Sequence, residues 1–278
     1  MTTKPAVRTL FIRTLAAVAA IMLAGMTAVW GANAKKQDKK ADKAAFTVVI
    51  DPGHGGKDAG CVGKSAREKD INLAVALYLQ ELIDKEMDDV KALLTRSTDK
   101  YLTLQRRADI ANDAKADLFI SIHVNSVDRK ARNRSRLSGA SVYTVGTHKE
   151  QSTLAVAMRE NAVIELEEDY STKYSGFDPQ STESYIIFEL SNDMHRRQSL
   201  DFAQLACREM VTTAGRADKG VRQAGFWVLW ATSMPSVLVE LDFICNPAHE
   251  QFLASEDGQR KCAQALFNAL SSYRKTHK

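Results

Sequence analysis

Four residues of this chain have the types and settings that hydrolytic metal chemistry needs: His54, Glu68, His123 and Glu240. His54 stands in the turn Asp51-Pro-Gly-His-Gly-Gly56, and Glu68 follows 14 residues later. His123 closes the apolar run Leu118-Phe-Ile-Ser-Ile-His123, and Glu240 ends the run Val237-Leu-Val-Glu240. Two imidazoles and one carboxylate make a three-ligand zinc site with a fourth position open to water. A zinc site of that kind lowers the pKa of water toward neutrality. A further carboxylate must then carry protons, and Glu240 is placed for that work. The sequence contains no HExxH, so the helix-borne zinc-peptidase arrangement is excluded.

Each residue taken singly has a structural reading. A histidine in a glycine-rich turn belongs to a tight loop more often than to a metal site. Glu68 follows Ser65 by three residues, the spacing of a helix capping box. His123 suits a hydrogen-bonded core histidine. Glu240 resists such an account, because an ionisable group inside an apolar strand is costly unless paired or functional.

The elements that must bring these residues together alternate along the chain. Strands are expected at Phe46 to Asp51, Val90 to Thr95, Asp117 to His123, Ala140 to Val145, Phe226 to Trp230 and Ser236 to Leu241, from β-branched or apolar runs bounded by turn residues. Helices are expected at Asp70 to Lys85, at Thr103 to Ala114 with Thr103 as N-cap, and at Leu154 to Glu168, Leu200 to Thr213 and Arg260 to Arg274. This alternation predicts an α/β layered domain, residues 46–275, with a twisted, mostly parallel sheet flanked by helices. Ligands bind such sheets beyond the carboxyl ends of the strands, which is where His54, His123 and Glu240 fall. Residues 169–198 interrupt the rhythm with Tyr174, Gly176, Pro179, Tyr185 and Phe188, and read as an insertion that serves as a lid or binding loop.

Composition sets the limits. A hydrophobic fraction of 45% is enough for a substantial core. The formal charge is +4, of which Lys4, Arg8 and Arg13 supply three, so the rest carries 4 − 3 = +1, no case for a nucleic-acid partner. Those three cations precede an apolar run from Leu15 to Trp30 and the small-residue pattern Ala32-Asn33-Ala34. That is the layout of a secretory signal peptide, residues 1–34, cut after Ala34; retention as an anchor is the alternative. A flexible charged linker, 35–45, follows. Export would place the chain in the periplasm or cell envelope, as a monomer. Cys61, Cys207, Cys245 and Cys262 have no metal-ribbon spacing, and either disulfides or buried thiols are compatible with them. His148, His195, His249 and His277 lie in no motif and read as surface residues.

The strings Val-Val-Ile-Asp-Pro-Gly-His-Gly-Gly-Lys-Asp-Ala-Gly60, Glu68, Ser-Ile-His-Val-Asn125 and Pro-Ser-Val-Leu-Val-Glu-Leu241 together resemble the zinc-dependent N-acetylmuramoyl-L-alanine amidases of the amidase-3 type. The resemblance runs from Phe46 to Tyr273. It implies His54, Glu68 and His123 as Zn2+ ligands, Glu240 as the catalytic glutamate, Asn125 as a substrate-binding residue, and peptidoglycan as substrate. Arg107 and Arg222 look like further motif positions with a packing role. The resemblance also implies a regulatory reading of 169–198, because several cell-division amidases carry a helix that covers the zinc until an activator protein displaces it. Glu183 and Glu189 are the regulatory candidates for reaching the metal. A zinc peptidase or deacetylase, and a non-catalytic wall-binding or divisome module, stand as alternatives.

Overall fold

The computed structural model describes residues 45–147, 150–186, 188 and 194–277. The expected signal peptide, all but the last residue of the linker, His148 and Glu189 lie outside the described residues.

Six strands form one sheet: β1 (Phe46–Pro52), β2 (Val90–Leu94), β3 (Leu118–Asn125), β4 (Ala140–Val145), β5 (Asp218–Ala224) and β6 (Ser236–Phe243), in the order β2-β1-β3-β6-β4-β5. Every neighbouring pair is parallel except β4 with β6. The fold is thus α/β with a mostly parallel sheet, and β1, β3 and β6 end on one rim.

Period-two alternation sorts each central strand between two cores. Val48 and Ile50, Ile120 and Ile122, and Val237 and Val239 face helices α1 (Glu68–Glu86), α5 (Arg196–Thr212) and α8 (Glu256–Thr276). Val49, Phe119 and Leu238 face the opposite layer, built from α2 (Leu104–Asp113), α3 (Gln151–Asn161), the short α4 (Tyr170–Lys173) and α6 (Trp227–Trp230). Burial on both faces is why these strands read as continuous apolar runs. On the second face the side chains turn polar toward the carboxyl rim: Val49 gives way to Asp51, Phe119 to Ser121 and His123, and Leu238 to Glu240. The helix α7 (Pro247–Ala254) caps the end of β6, with Asn246 accepting from the amide of Ala248 at 3.2 Å.

Two local expectations differ. Phe226 to Trp230, expected as a strand, forms the turn of helix α6, and the strand is Asp218–Ala224 immediately before it. A five-residue apolar run suits either state, and here helical spacing lets Trp227 and Trp230 pack against each other with centroids 5.0 Å apart. As an edge strand with polar composition, β5 carries no alternating signal. The helix expected through Glu168 ends at Asn161 and continues as a 3-10 turn, Ala162–Leu166. Asn161 spends its side chain on the chain around α6, donating to Gly225 O at 2.7 Å and accepting from the Trp227 amide at 2.9 Å.

The described part of 169–198 packs through its aromatic rings. Tyr174, Phe177, Tyr185 and Phe188 are buried and stack among themselves and on Trp227. Tyr185 also joins the end of α3, its hydroxyl 3.2 Å from Asn161 Nδ2.

Candidate metal centre

The turn after β1 aims His54 at the rim. His54 itself has φ 62°, a left-handed conformation uncommon outside glycine. Two buried arginines hold the turn by donating to its carbonyls. Arg96 reaches Pro52 O at 2.8 Å and Gly53 O at 2.9 Å, and Arg107 reaches Pro52 O at 2.8 Å and His54 O at 2.6 Å. Arg107 Nη1 also meets Asp51 Oδ1 at 2.7 Å, while Thr95 and Ser121 donate to the same carboxylate at 2.6 and 2.7 Å. Arg107 therefore serves as scaffold. Gly53 is obligatory for a different reason: a Cβ there would overlap the ring of His123.

Four side chains converge. His54 Nε2 lies 3.1 Å from both Glu68 Oε1 and Glu160 Oε2, and His123 Nδ1 lies 3.1 and 3.0 Å from the same two oxygens. One ligand atom from each of the four residues falls within 4.8 Å of all the others, and all four residues are buried. His54 Nε2 and Glu160 Oε2 are buried with no hydrogen-bond partner despite their closeness. Buried polar atoms this close and yet not hydrogen-bonded to each other fit ligands that share an ion.

The outer contacts fix the ligands in place. His54 Nδ1 sits 2.7 Å from Asp58 Oδ2, which leaves Nε2 free as a donor to a metal. Glu68 accepts the Cys61 amide at 2.7 Å and the Val124 amide at 2.9 Å. Burial and the nearby Glu160 charge work to raise Glu68, but the imidazoles of His54 and His123 outweigh them and hold it below the usual carboxylate range. Burial would lower both imidazoles, but facing carboxylates override it, raising His54 well above its ordinary value and His123 to about 9. Two carboxylates thus attract two protons, and one divalent cation carries the same charge. The donor set of two imidazoles and buried carboxylates fits zinc.

Glu240 adjoins this cluster. The β3–β6 register sets it beside His123, and the β4–β6 register beside Ser141. It is fully buried, with Oε2 lacking a hydrogen-bond partner. Burial, with Glu160 and Glu68 nearby, pushes it up to about 8 against the pull of Arg159. Arg159 Nη2 lies 3.3 Å from Glu240 Oε1, and Arg159 Nε 2.8 Å from Glu160 Oε1. Asn125 lies within reach as well, its Oδ1 3.3 Å from Arg159 Nη2. Arg222 is half-buried at the surface, paired with Glu150 at 2.8 Å.

The acid that reaches the cluster from outside the rim is Glu160, at the end of α3. Glu183 is exposed instead, its carboxylate accepting from Ser181 at 2.8 Å. The 3-10 turn that carries Glu183 is held by the Tyr185 ring in the aromatic cluster, so its polar side faces outward. Glu160 left a trace in the sequence. Thr153, Val156, Ala157, Glu160 and Asn161 share one buried helix face, and a carboxylate in an apolar stripe demands a partner. All four cysteines are unpaired thiols, which leaves no disulfide.

The comparisons agree with this geometry. The amidase-3 family model, N-acetylmuramoyl-L-alanine amidase, matches residues 48–272. The chain is 33% identical over 234 residues to N-acetylmuramoyl-L-alanine amidase AmiC of Escherichia coli O6:H1, covering 82% of this chain and 52% of that protein, so this chain spans about half of that relative. It is 31% identical over 229 residues to AmiA of Escherichia coli K12, covering 81% of this chain and 75% of that one. The crystal structure of an N-acetylmuramoyl-L-alanine amidase from Clostridium difficile 630 matches with a TM-score of 0.62 at 25% identity, covering 85% of this chain and 100% of that one. With the family model spanning nearly all of the described fold and the histidine and glutamate cluster at its strand ends, this chain belongs to the amidase-3 family of N-acetylmuramoyl-L-alanine amidases.

Proposed function

We propose that the chain hydrolyses the amide bond between N-acetylmuramic acid and L-alanine in peptidoglycan, in cell-wall remodelling or daughter-cell separation, with Zn2+ held by His54, Glu68 and His123. The observation that carries this reading is the convergence of two imidazoles and a buried carboxylate beside a second buried carboxylate, Glu240, on the adjoining strand. Bound zinc would supply Lewis acidity to the amide carbonyl and to water. Glu240, raised by burial, takes a proton from water at Oε2 and returns it to the leaving amine. His54 stays oriented through Asp58 and through the turn that Arg96 and Arg107 hold, and Gly53 of that turn packs against the His123 ring. Asn125, at the mouth of the site, positions substrate.

The described conformation supports a regulated site. Glu160 fills the fourth place of the donor set, which a hydrolytic zinc site keeps open. The end of α3 that carries it is tied through Asn161 to Tyr185 of the 169–198 segment. An activator protein that displaces this segment would withdraw Glu160 and admit substrate. Exposed Ile186, 52% accessible, offers apolar surface for such a contact. Residues 1–34 would direct export to the periplasm or cell envelope, where a monomer meets the wall.

Digestion of purified sacculi tests the reading. An amidase releases intact stem peptides with a free L-alanine amine and leaves intact glycan strands. Peptide fragments would establish a peptidase, acetate a deacetylase, and no product from zinc-loaded, activated protein a non-catalytic module.

A further inference from the structure

Beside Glu240 opens a groove of about 840 Å3, within the range of small-ligand sites. It starts at Asn125 and Arg159, which contact the catalytic carboxylate's surroundings, and runs past Leu137, Val156 and Phe243. Its charge is one-sided. Arg129, Arg134, Arg159, Lys219 and Arg222 line it, against the single acid Asp128. Arg159 is committed to Glu160 and Glu240, and Arg222 to Glu150. Arg129, Arg134 and Lys219 form no ion pair among the described residues, and Arg134 Nε is buried without a hydrogen-bond partner. The loop between β3 and β4 concentrates the effect, because Arg129, Lys130, Arg132, Arg134 and Arg136 fall within eight positions. Arg129 and Arg134 also line a second cavity of about 410 Å3, where the only acid, Glu250, is already held by the Ser65 and Ala66 amides at 2.6 and 3.0 Å. Cations left unpaired on a concave wall await an anion.

We propose that this groove is a subsite for a carboxylate-bearing peptide stem, with Arg129, Arg134 and Lys219 reading its free carboxylates and thereby separating stems with free acids from amidated ones. The inference rests on the amidase reading. The bond to be cut lies at the amino end of a stem whose later residues carry carboxylates, while the glycan on the other side of the bond is uncharged. A groove that begins at Asn125 and Arg159, the latter 3.3 Å from Glu240, and is lined by cations suits the stem side. The apolar wall formed by Leu137, Val156 and Phe243 accepts its alanine and methylene groups.

The test is calorimetric titration of the full chain with the tripeptide L-Ala-γ-D-Glu-meso-diaminopimelate and with the same peptide amidated at its free carboxyls, beside a separate assay of sacculus digestion. The free acid should bind about tenfold tighter than the amidated form, with affinity falling as salt rises. The R129Q/R134Q double variant, and K219Q independently, should remove that preference and leave binding of the amidated form unchanged. Equal binding of the two peptides, variants that weaken both alike, or competition by inorganic phosphate as strong as by the tripeptide would overturn the proposal. If sacculi are digested but no preference appears, the subsite fails alone; if the preference appears while zinc-loaded protein with Glu160→Ala, which opens the site, digests nothing, the amidase reading fails and the anion-selective groove stands.

Discussion

Arg159 Nη2 lies 3.3 Å from Glu240 Oε1, while its neighbour in the chain, Glu160, stands with Oε2 3.1 Å from His54 Nε2 and 3.0 Å from His123 Nδ1. One turn at the end of α3 therefore engages both the histidine and carboxylate cluster and the buried carboxylate of Glu240 beside it. Any movement of that helix end releases both together.

Glu160→Ala should therefore raise sacculus digestion by about tenfold or more in the absence of any partner, because the closed population no longer holds the fourth position. Zinc content should stay at one ion per chain, since His54, Glu68 and His123 remain. A fall in metal content, with no gain in digestion, would make Glu160 a structural ligand instead.

Glu240→Gln should keep zinc and the fold while turnover falls by about 100-fold to 10,000-fold, the range for loss of a general acid–base. Metal analysis and digestion kinetics on one preparation check it. Retained turnover would remove Glu240 from the mechanism.

Zinc uptake should expel protons. Burial opposes charge on His54 and His123, yet the facing carboxylates hold both above their ordinary values, so metal must displace protons to bind. Calorimetry in buffers of different ionisation enthalpy should show proton release, with affinity rising as pH rises. Saturation at 100 times the dissociation constant should add about 2.7 kcal/mol of stability, read as a higher Tm that chelator reverses.

Asp51 should make the fold acid-sensitive. Burial works to raise this carboxyl, but Arg107 and the hydroxyls of Thr95 and Ser121 outweigh it and hold it below its ordinary value. A depressed folded pKa stabilises above the unfolded value of about 3.9 and loses that contribution as pH falls through the folded value. Asp51→Asn should cost about 3 kcal/mol at neutral pH by leaving Arg107 without its buried partner. Denaturant titrations from pH 7 to pH 3 should show the wild-type advantage shrink toward acid and should be flat in this respect for the variant.

Legibility from sequence followed burial. Strands β1, β3 and β6 lie between two helical layers, so unbroken apolar runs announced them, and the polar interruptions at Asp51, His123 and Glu240 stood out against that background. Strand β5 at the polar edge was not legible, and neither was the helical state of Trp227–Trp230, because a short apolar run suits both conformations until packing decides. Arg96 escaped notice for another reason: its partners are backbone carbonyls of the turn after β1 and of Lys69 at the start of α1, and no side-chain pattern records them.

Sequence by itself determined the α/β class, the strand ends and the residue types able to hold zinc, because hydrophobic period and turn chemistry are local properties of the chain. Only the tertiary structure decided which carboxylate completes the cluster. Glu160 meets His54 and His123 through the packing of α3 on the sheet, and that contact depends on where Asn161, Tyr185 and Trp227 lock the helix end. Distances across layers are set by side-chain packing summed over the whole fold, and no window of sequence contains them.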